Sequence, residues 1–339
     1  TDPPLDEPGL VEMLKHRARQ IDRVNLFPLG AMTVGLNGEV ITEMAELTEA
    51  GCVGFAQADR SVLDTRVLFR AMQYAKSFGF GLWLRPLDPW LSRNGVAASG
   101  AYASRLGLSG VPVQSETIAL HTLFELQRSV GVRLHICRVA SAAGLALIRQ
   151  AKAEGLPVTC DVSINHAHLT DVDIGYYDTH YRLDPPLRGQ RDRDALREGL
   201  ADGTIDALCS DHTPVDDDGK QMPFSESEAG ATGLELLLSL TVKWALDERI
   251  PMLRALERVT CGPARVLSAS APAMPPIGSL AVGSPADFCV VDLEDHWTVS
   301  RSQLLSQSQH TPFLGLELPA RVLATGVRGR LIWESSAWA

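Results

Sequence analysis

Apolar positions along this chain recur with two alternating periods. Short, nearly unbroken apolar runs at residues 24–29, 52–56, 80–84, 133–137, 156–162 and 207–209 have the length and make-up of buried strands. Between them, at 39–50, 62–77, 115–129, 140–154 and 191–201, apolar residues return every three or four positions, which predicts amphipathic helices. A helix over 9–20 opens the chain, and helices over 233–247, 252–258 and 262–267 follow the last strand.

Strands alternating with helices imply a parallel sheet. This many units with no G-x-G-x-x-G or Walker lysine motif favour a closed (β/α)8 TIM-type barrel over a doubly wound sheet. Six strands are clear, and residues 181–183 offer a short seventh. The eighth is expected to be the first strand, with residues 1–5 as its tail and the rest upstream. After a Ser/Ala/Pro-rich linker at 268–276 the pattern changes to short strands and turns at 278–292, 321–324 and 326–333. The expected division is 1–270 for the barrel, N-terminally incomplete, and 271–339 for part of a small β-domain. A few short strands are marginal alone, so upstream residues are expected to complete their sheet.

With 339 residues, 45% hydrophobic and 21% charged, the chain can form one large α/β domain or two ordinary ones. A net charge of −10 without any basic run argues against nucleic-acid binding. No stretch approaches the roughly 18 to 20 apolar residues of a membrane span, and no basic-then-apolar leader opens the chain, so a cytoplasmic protein without membrane contact is expected. Cys52, Cys137, Cys160, Cys209, Cys261 and Cys289 are scattered, mostly in apolar runs with no C-x-x-C pair, and read as small buried hydrophobes.

The candidate chemistry centres on Ile205-Asp206-Ala207-Leu208-Cys209-Ser210-Asp211-His212-Thr213-Pro214-Val215. An apolar run ending in Ser-Asp-His and a proline turn is how a buried strand delivers polar side chains to a barrel mouth, with Asp211 at the strand's C-terminal end. The plainer alternative is an Asp that caps the following turn.

Several segments together carry a resemblance. Gly278-x-Leu280-x-x-Gly283-x-x-Ala286-Asp287, followed by Asp292, resembles the C-terminal β-sandwich signature of the amidohydrolase superfamily. Four more segments resemble class I dihydroorotases: Leu5-Asp6-Glu7-Pro8-Gly9, Asp184-Pro185-Pro186-Leu187-Arg188, Asp202-Gly203-x-Ile205-Asp206 running on to Pro214, and Gly230-Ala231-Thr232-Gly233-Leu234-Glu235. The resemblance implies an amidohydrolase barrel with a small β-sandwich. It also implies reversible cyclisation of carbamoyl aspartate to dihydroorotate, with one or two zinc ions activating water and a strand-end Asp moving the proton.

Zinc needs several His or carboxylate ligands at about 2.0 to 2.2 Å. Aligned on Leu5 and Glu7-Pro8-Gly9, the family's His-x-His slots hold Asp2 and Pro4, and proline offers no ligand. His16 is the sole histidine before His121, so nothing nearby substitutes. Asp88, in Arg85-Pro86-Leu87-Asp88, resembles the family's metal-bridging carboxylate, and a turn cap before Pro89 is equally open. The next ligand slot holds Arg138, which stays protonated and cannot bind a cation. His135, inside the same strand, reads as a satisfied core histidine.

The fourth slot holds Asn165, and the adjacent His166 could serve only in a register shifted by one, while His168 reads as a surface or loop residue. Asp211 and His212 match the family's catalytic Asp and its neighbour, and Val215 replaces a later family His. Asp184 stands where the family has Asn, which would repel a dianionic substrate.

Fold-defining residues are thus kept while zinc-defining ones are not. The leading expectation is a catalytically silent dihydroorotase-like protein of pyrimidine biosynthesis with no metal or other cofactor. Asp211 would then be vestigial, and Asp88, Arg138, Asn165, His166, Asp184, Arg188 and His212 would line its pocket. The guanidinium of Arg138 is expected to replace the metal charge by pairing with Asp211 or Asp88. The resemblance further implies a structural partnership with aspartate carbamoyltransferase, and a homo-oligomer is expected. The alternative is an active zinc-dependent cyclic amidohydrolase, and a third reading is a module binding a small anionic metabolite around Arg138 and Arg188. The polar loop at 216–230 is expected to be the most mobile segment.

Overall fold

The computed structural model describes residues 1–271, 274 and 276–335. Six strands form one all-parallel sheet: β1 (Gly30–Ala31), β2 (Phe55–Ala56), β3 (Gly81–Leu84), β6 (Arg133–Ile136), β7 (Val158–Ser163) and β8 (Ala207–Cys209), in that spatial order. Register runs through Gly30 opposite Phe55, Leu82 opposite Leu134, Ile136 opposite Cys160 and Val162 opposite Leu208. Parallel neighbours need helical crossovers, supplied by α2 (Met44–Ala50), α3 (Thr65–Phe78), α5 (Gln114–Val130), α6 (Ala142–Ala153) and α8 (Gln190–Asp202). The chain opens with α1 (Pro8–Ile21), which carries proline in its first turn.

The helix α3 shows how local signals set these elements. Asp64 caps its N-terminus by accepting from the Arg66 N–H, and Gly79, at φ 75°, ends it in a left-handed turn. Leu68, Ala71, Met72 and Ala75 face the sheet, and the fully buried Phe55 and Leu82 meet this layer. Each of the large side chains among these contributes about 1.5 to 3 kcal/mol of burial.

Several expectations are corrected. The run at 24–29 is not a strand: Val24 and Asn25 are exposed, Pro28 has no N–H to give, and pairing begins where the Pro28 carbonyl accepts from Val53. Residues 181–183 are not a strand either. They leave a 3-10 turn at Thr179–Tyr181, and the Arg182 carbonyl is taken by Gly230 N–H and the Lys220 ammonium. Residues 1–5 are not helical or extended ladder, though the Leu5 carbonyl accepts from Ala31 of β1.

Between β3 and α5 the chain makes an excursion that the hydrophobic pattern did not announce. There β4 (Ala97–Ala98) pairs with β5 (Gly110–Val111) beside α4 (Ala101–Leu106), over a small core that includes Ile174 and Phe224. The 216–230 loop, expected to be mobile, is pinned: it contains α9 (Asp217–Gln221), and Phe224, Lys220 and Ser227 are buried.

After β7 comes the short α7 (Ile164–His168), and after β8 come α10 (Leu237–Asp247), α11 (Met252–Glu257) and α12 (Cys261–Ser270). Helix α12 runs to Ser270, into what reads as linker, and Pro272, Ala273 and Pro275 of that stretch lie outside the described residues, as do residues 336–339. The C-terminal strands are fewer and longer than expected. An antiparallel sheet joins β9 (Phe288–Thr298), β10 (Glu317–Val327) and β11 (Arg330–Glu334), and residues 278–287 are turns. The carbonyl of Ala320 in β10 accepts from Ser239 of α10 at 2.8 Å and from the Trp297 indole at 3.1 Å, tying this sheet to the helical layer. Cys52 and Cys160 are buried as expected, but Cys261 and Cys289 are exposed.

Candidate functional site

Parallel strands all point their C-terminal ends the same way, so the residues that follow them collect at one mouth. Here these are Asp59 after β2, Arg85 after β3, Arg138 after β6, Asn165 and His166 after β7, and Asp211 after β8. Asp184 and Arg188 reach the same mouth from the loop preceding α8.

Two arginines organise the charge. Arg85, buried, grips Asp184 with both ends of its fork, Nη1 to Oδ2 at 2.6 Å and Nη2 to Oδ1, and gives Nη1 to Asp59 at 3.2 Å. Nη1 of Arg138 donates to Asp211 at 3.4 Å and to the Asp184 carbonyl at 3.2 Å, while Nη2 contacts Asp59. Burial works against charge on Arg138, but Asp211 and Asp59 outweigh it and hold the guanidinium above its ordinary pKa. Burial pushes the Asp211 carboxyl up, helped by Asp161 and Asp59, while Arg138 and Ser163 oppose the rise.

Beneath this layer lies Asp161 on β7. It accepts from His135 at 2.9 Å and from the Arg138 backbone N–H at 2.7 Å. Burial pushes its carboxyl up, yet His135 and Arg138 win and hold it below the usual carboxylate range. The other ring nitrogen of His135, Nδ1, lies 2.8 Å from the Thr159 hydroxyl, so it is the satisfied core histidine expected.

Other expected pocket residues are placed differently. Asp88 does not meet Arg138 or Asp211, because its carboxylate caps a turn by accepting from the N–H groups of Trp90 and Leu91. His212 turns away from the mouth: its Nδ1 faces the Gly233 and Leu234 N–H groups, and it lines an outer cleft with Asp216 and Asp217. His168, expected on the surface or in a loop, is partly buried at the end of α7. Its Nε2 meets the Leu240 carbonyl at 2.9 Å, and burial pushes its pKa down to about 3. Asp184 does not stand as a free repelling charge, since Arg85 neutralises it. Asn165, His166 and Arg188 are buried.

The donor set does not fit zinc. Asp2 is exposed, Pro4 and Arg138 offer no ligand atom, and Asp88 is spent on its turn. His166, neutral because burial pushes it down to about 4, points Nε2 at the Pro186 carbonyl, 3.3 Å away. Among the described residues one other trio, His135, Cys137 and Asp161, lies close enough to share a cation. There His135 spends both ring nitrogens, Asp161 accepts from His135 and Arg138, and burial keeps the Cys137 thiol well above its ordinary pKa.

The segment Gly230–Glu235 has a scaffolding role. A Cβ on Gly233 would meet the Ser210 carbonyl at 2.3 Å, so only glycine lets this turn lie against the strand end carrying Asp211. Glu235 accepts from the N–H groups of Leu305 and Ser306, fastening the C-terminal part to the barrel.

Comparison with known proteins agrees with this architecture. The family model described as "Dihydro-orotase-like" matches residues 1–143, and that of the "Amidohydrolase family" matches residues 120–332. The dihydroorotase-like protein of Pseudomonas aeruginosa is 38% identical over 334 residues, covering 98% of this chain and 77% of that relative. The chain belongs to the dihydroorotase-like amidohydrolases. The dihydroorotase of Geobacter sp. strain M21 is 34% identical over 99% of the chain and 77% of its own length. Among solved structures, L-hydantoinase from Arthrobacter aurescens superposes with a TM-score of 0.86 at 25% identity, covering 98% of this chain and 75% of that one. The parallel sheet is therefore that of an amidohydrolase (β/α)8 barrel, and the antiparallel sheet belongs to its small β-sandwich.

Asp59, Arg85, Asp161 and Arg182 were missed by sequence reasoning. Asp161 had a signal, since a carboxylate inside a buried apolar run must have a partner. Arg85 directly follows β3, and Asp211 stands two residues past the end of β8.

Proposed function

We propose that this dihydroorotase-like chain is catalytically silent and serves pyrimidine biosynthesis as a structural partner of aspartate carbamoyltransferase. One observation carries the first half: Arg138 stands in a ligand slot and bridges Asp59 and Asp211. A guanidinium supplies positive charge but has no open coordination position, so it cannot convert bound water to hydroxide near neutral pH as a zinc ion does. The partnership rests on the resemblance to degenerate relatives, and on kinship with proteins that carry the name dihydroorotase-like in Pseudomonas aeruginosa and Pseudomonas putida. A cytoplasmic homo-oligomer is part of the same proposal.

The test uses the full-length protein. Metal analysis should find zinc far below one per chain, dihydroorotate hydrolysis should not exceed the uncatalysed rate, and the protein should co-elute with aspartate carbamoyltransferase. Stoichiometric zinc accompanied by hydrolysis would support a second reading, a working cyclic amidohydrolase. That reading draws on the closeness of His135, Cys137 and Asp161 and on relatives named dihydroorotase.

A further inference from the structure

The charges at the barrel mouth are mostly matched, with Arg85 taken by Asp184 and Arg138 by Asp59 and Asp211. Two guanidinium groups form no ion pair within bonding distance among the described residues, although Glu116 lies within electrostatic reach of Arg188 and Asp184 within that of Arg182. Arg188 is 7% exposed, makes no side-chain hydrogen bond among the described residues, and keeps a buried Nε without a partner. Arg182 likewise has a buried, unpartnered Nε, and its Nη1 reaches just the carbonyl of the adjoining Leu183 at 3.3 Å. Neither has a carboxylate within salt-bridge distance among the described residues. A buried guanidinium whose nearest carboxylates are bonded to other donors is left with unsatisfied N–H groups, and that points to a further anion.

Both groups line one cavity of about 150 Å³, with Arg85 and Arg138 also in its wall. That is room for a ligand of several heavy atoms. Two carboxylates share the lining, and both are already engaged. Glu116 accepts from Ala140 N–H and from the N–H and hydroxyl of Ser141, and Asp184 is held by Arg85. Arg188 also borders a neighbouring cleft containing Asp171 and Asp192, again without pairing. Asn165 Oδ1 and His166 Nδ1, at the same mouth, are further buried polar atoms lacking partners.

We propose that this cavity binds a small dianionic oxyanion, a dicarboxylate or a phosphate, through the guanidinium groups of Arg182 and Arg188. Planar guanidinium forks match either oxyanion in bidentate fashion. Ala229 forms part of the wall, and Gly230 N–H bonds to the Arg182 carbonyl, so the 216–230 loop is braced against the binding residue. The inference rests on the reading that arginine, and not zinc, supplies the positive charge of the mouth.

The experiment titrates chelator-treated full-length protein with succinate, with inorganic phosphate, and with chloride at matched ionic strength. Thermal unfolding and calorimetry are the readouts. The expected result is a melting temperature that climbs with succinate or phosphate and not with chloride, the stronger of the two identifying the oxyanion. Arg182→Gln, at a half-exposed position, should weaken binding at least about tenfold, and Arg188→Met should abolish it. Arg254→Gln on the distant α11 should leave it unchanged. Absence of any succinate or phosphate effect, or an equal effect in Arg182→Gln and the parent, would overturn the proposal. Binding that appears only after zinc is restored would overturn it together with the silent-barrel reading, whereas metal-independent binding in a protein that proves able to hold zinc would sink that reading alone.

Discussion

Arg138 and Asp211 face each other across the barrel mouth at 3.4 Å, each on left-handed backbone, with φ of 54° and 48°. Non-glycine residues avoid that region at a cost of about 1 kcal/mol or more each, and such outliers gather where surrounding structure over-determines them. Here the ion pair and the Arg138 N–H bond to Asp161 offset the strain.

Arg138→Met leaves Asp211 without its ion-pair partner and Asp59 with Arg85 alone. A wholly buried pair broken in this way loses more, but Asp59 is exposed to solvent, so the expected loss is about 2 kcal/mol. Urea unfolding measures it, and an unchanged midpoint would show that the pair adds nothing.

The fork between Arg85 and Asp184 should couple more strongly. A double-mutant cycle with Arg85→Met and Asp184→Asn is expected to return an interaction of about 2 kcal/mol, because the bond is bidentate and Arg85 is buried. Additive single effects would contradict it.

Acid should destabilise the fold through two histidines. Burial pushes His166 down to about 4 and His168 to about 3, while in the unfolded chain both titrate near 6.5. The unfolded state therefore binds more protons, and stability falls as pH drops below about 6.5, with a slope near 2.7 kcal/mol per pH unit around pH 5. His168→Gln should halve that slope. The carboxyls of Asp161 and Asp184, held low in the fold, give stability that is present at neutral pH and lost only below about pH 4.

Lys220 is expected to hold the 216–230 loop. Its buried ammonium donates to the carbonyls of Thr179, Arg182 and Glu228 at 2.9 to 3.3 Å. Lys220→Ala should expose this loop to proteolysis and speed its amide exchange at least about tenfold, while β3, β6 and β7 keep their protection. Equal exchange in both proteins would mean the apolar contacts of Phe224 suffice.

The positions of β2, β3, β6, β7 and β8 and the placement of Arg138 beside Asp211 were legible in the chain, because apolar runs followed by abrupt polar residues mark the C-terminal ends of buried strands. Asp59 was not. It follows its strand by three residues in an ordinary polar turn, and nothing local distinguishes it from a surface carboxylate until two arginines converge on it. Asp88 misled in the opposite direction, since an Asp before Pro-Trp carries the same letters whether it caps a turn or faces a cavity. Lys220 escaped notice because its loop has few apolar residues to suggest anchoring. Three backbone carbonyls from separate segments do that work, and carbonyl positions leave no trace in residue type.

One cation at the mouth of this barrel, the guanidinium of Arg138, is part of the polypeptide. A metal ion is in exchange with its surroundings, so chelators or transition-metal starvation can empty its site, whereas Arg138 is installed at translation. The mouth should therefore be assembled as soon as the strands close, in metal-rich and metal-poor conditions alike.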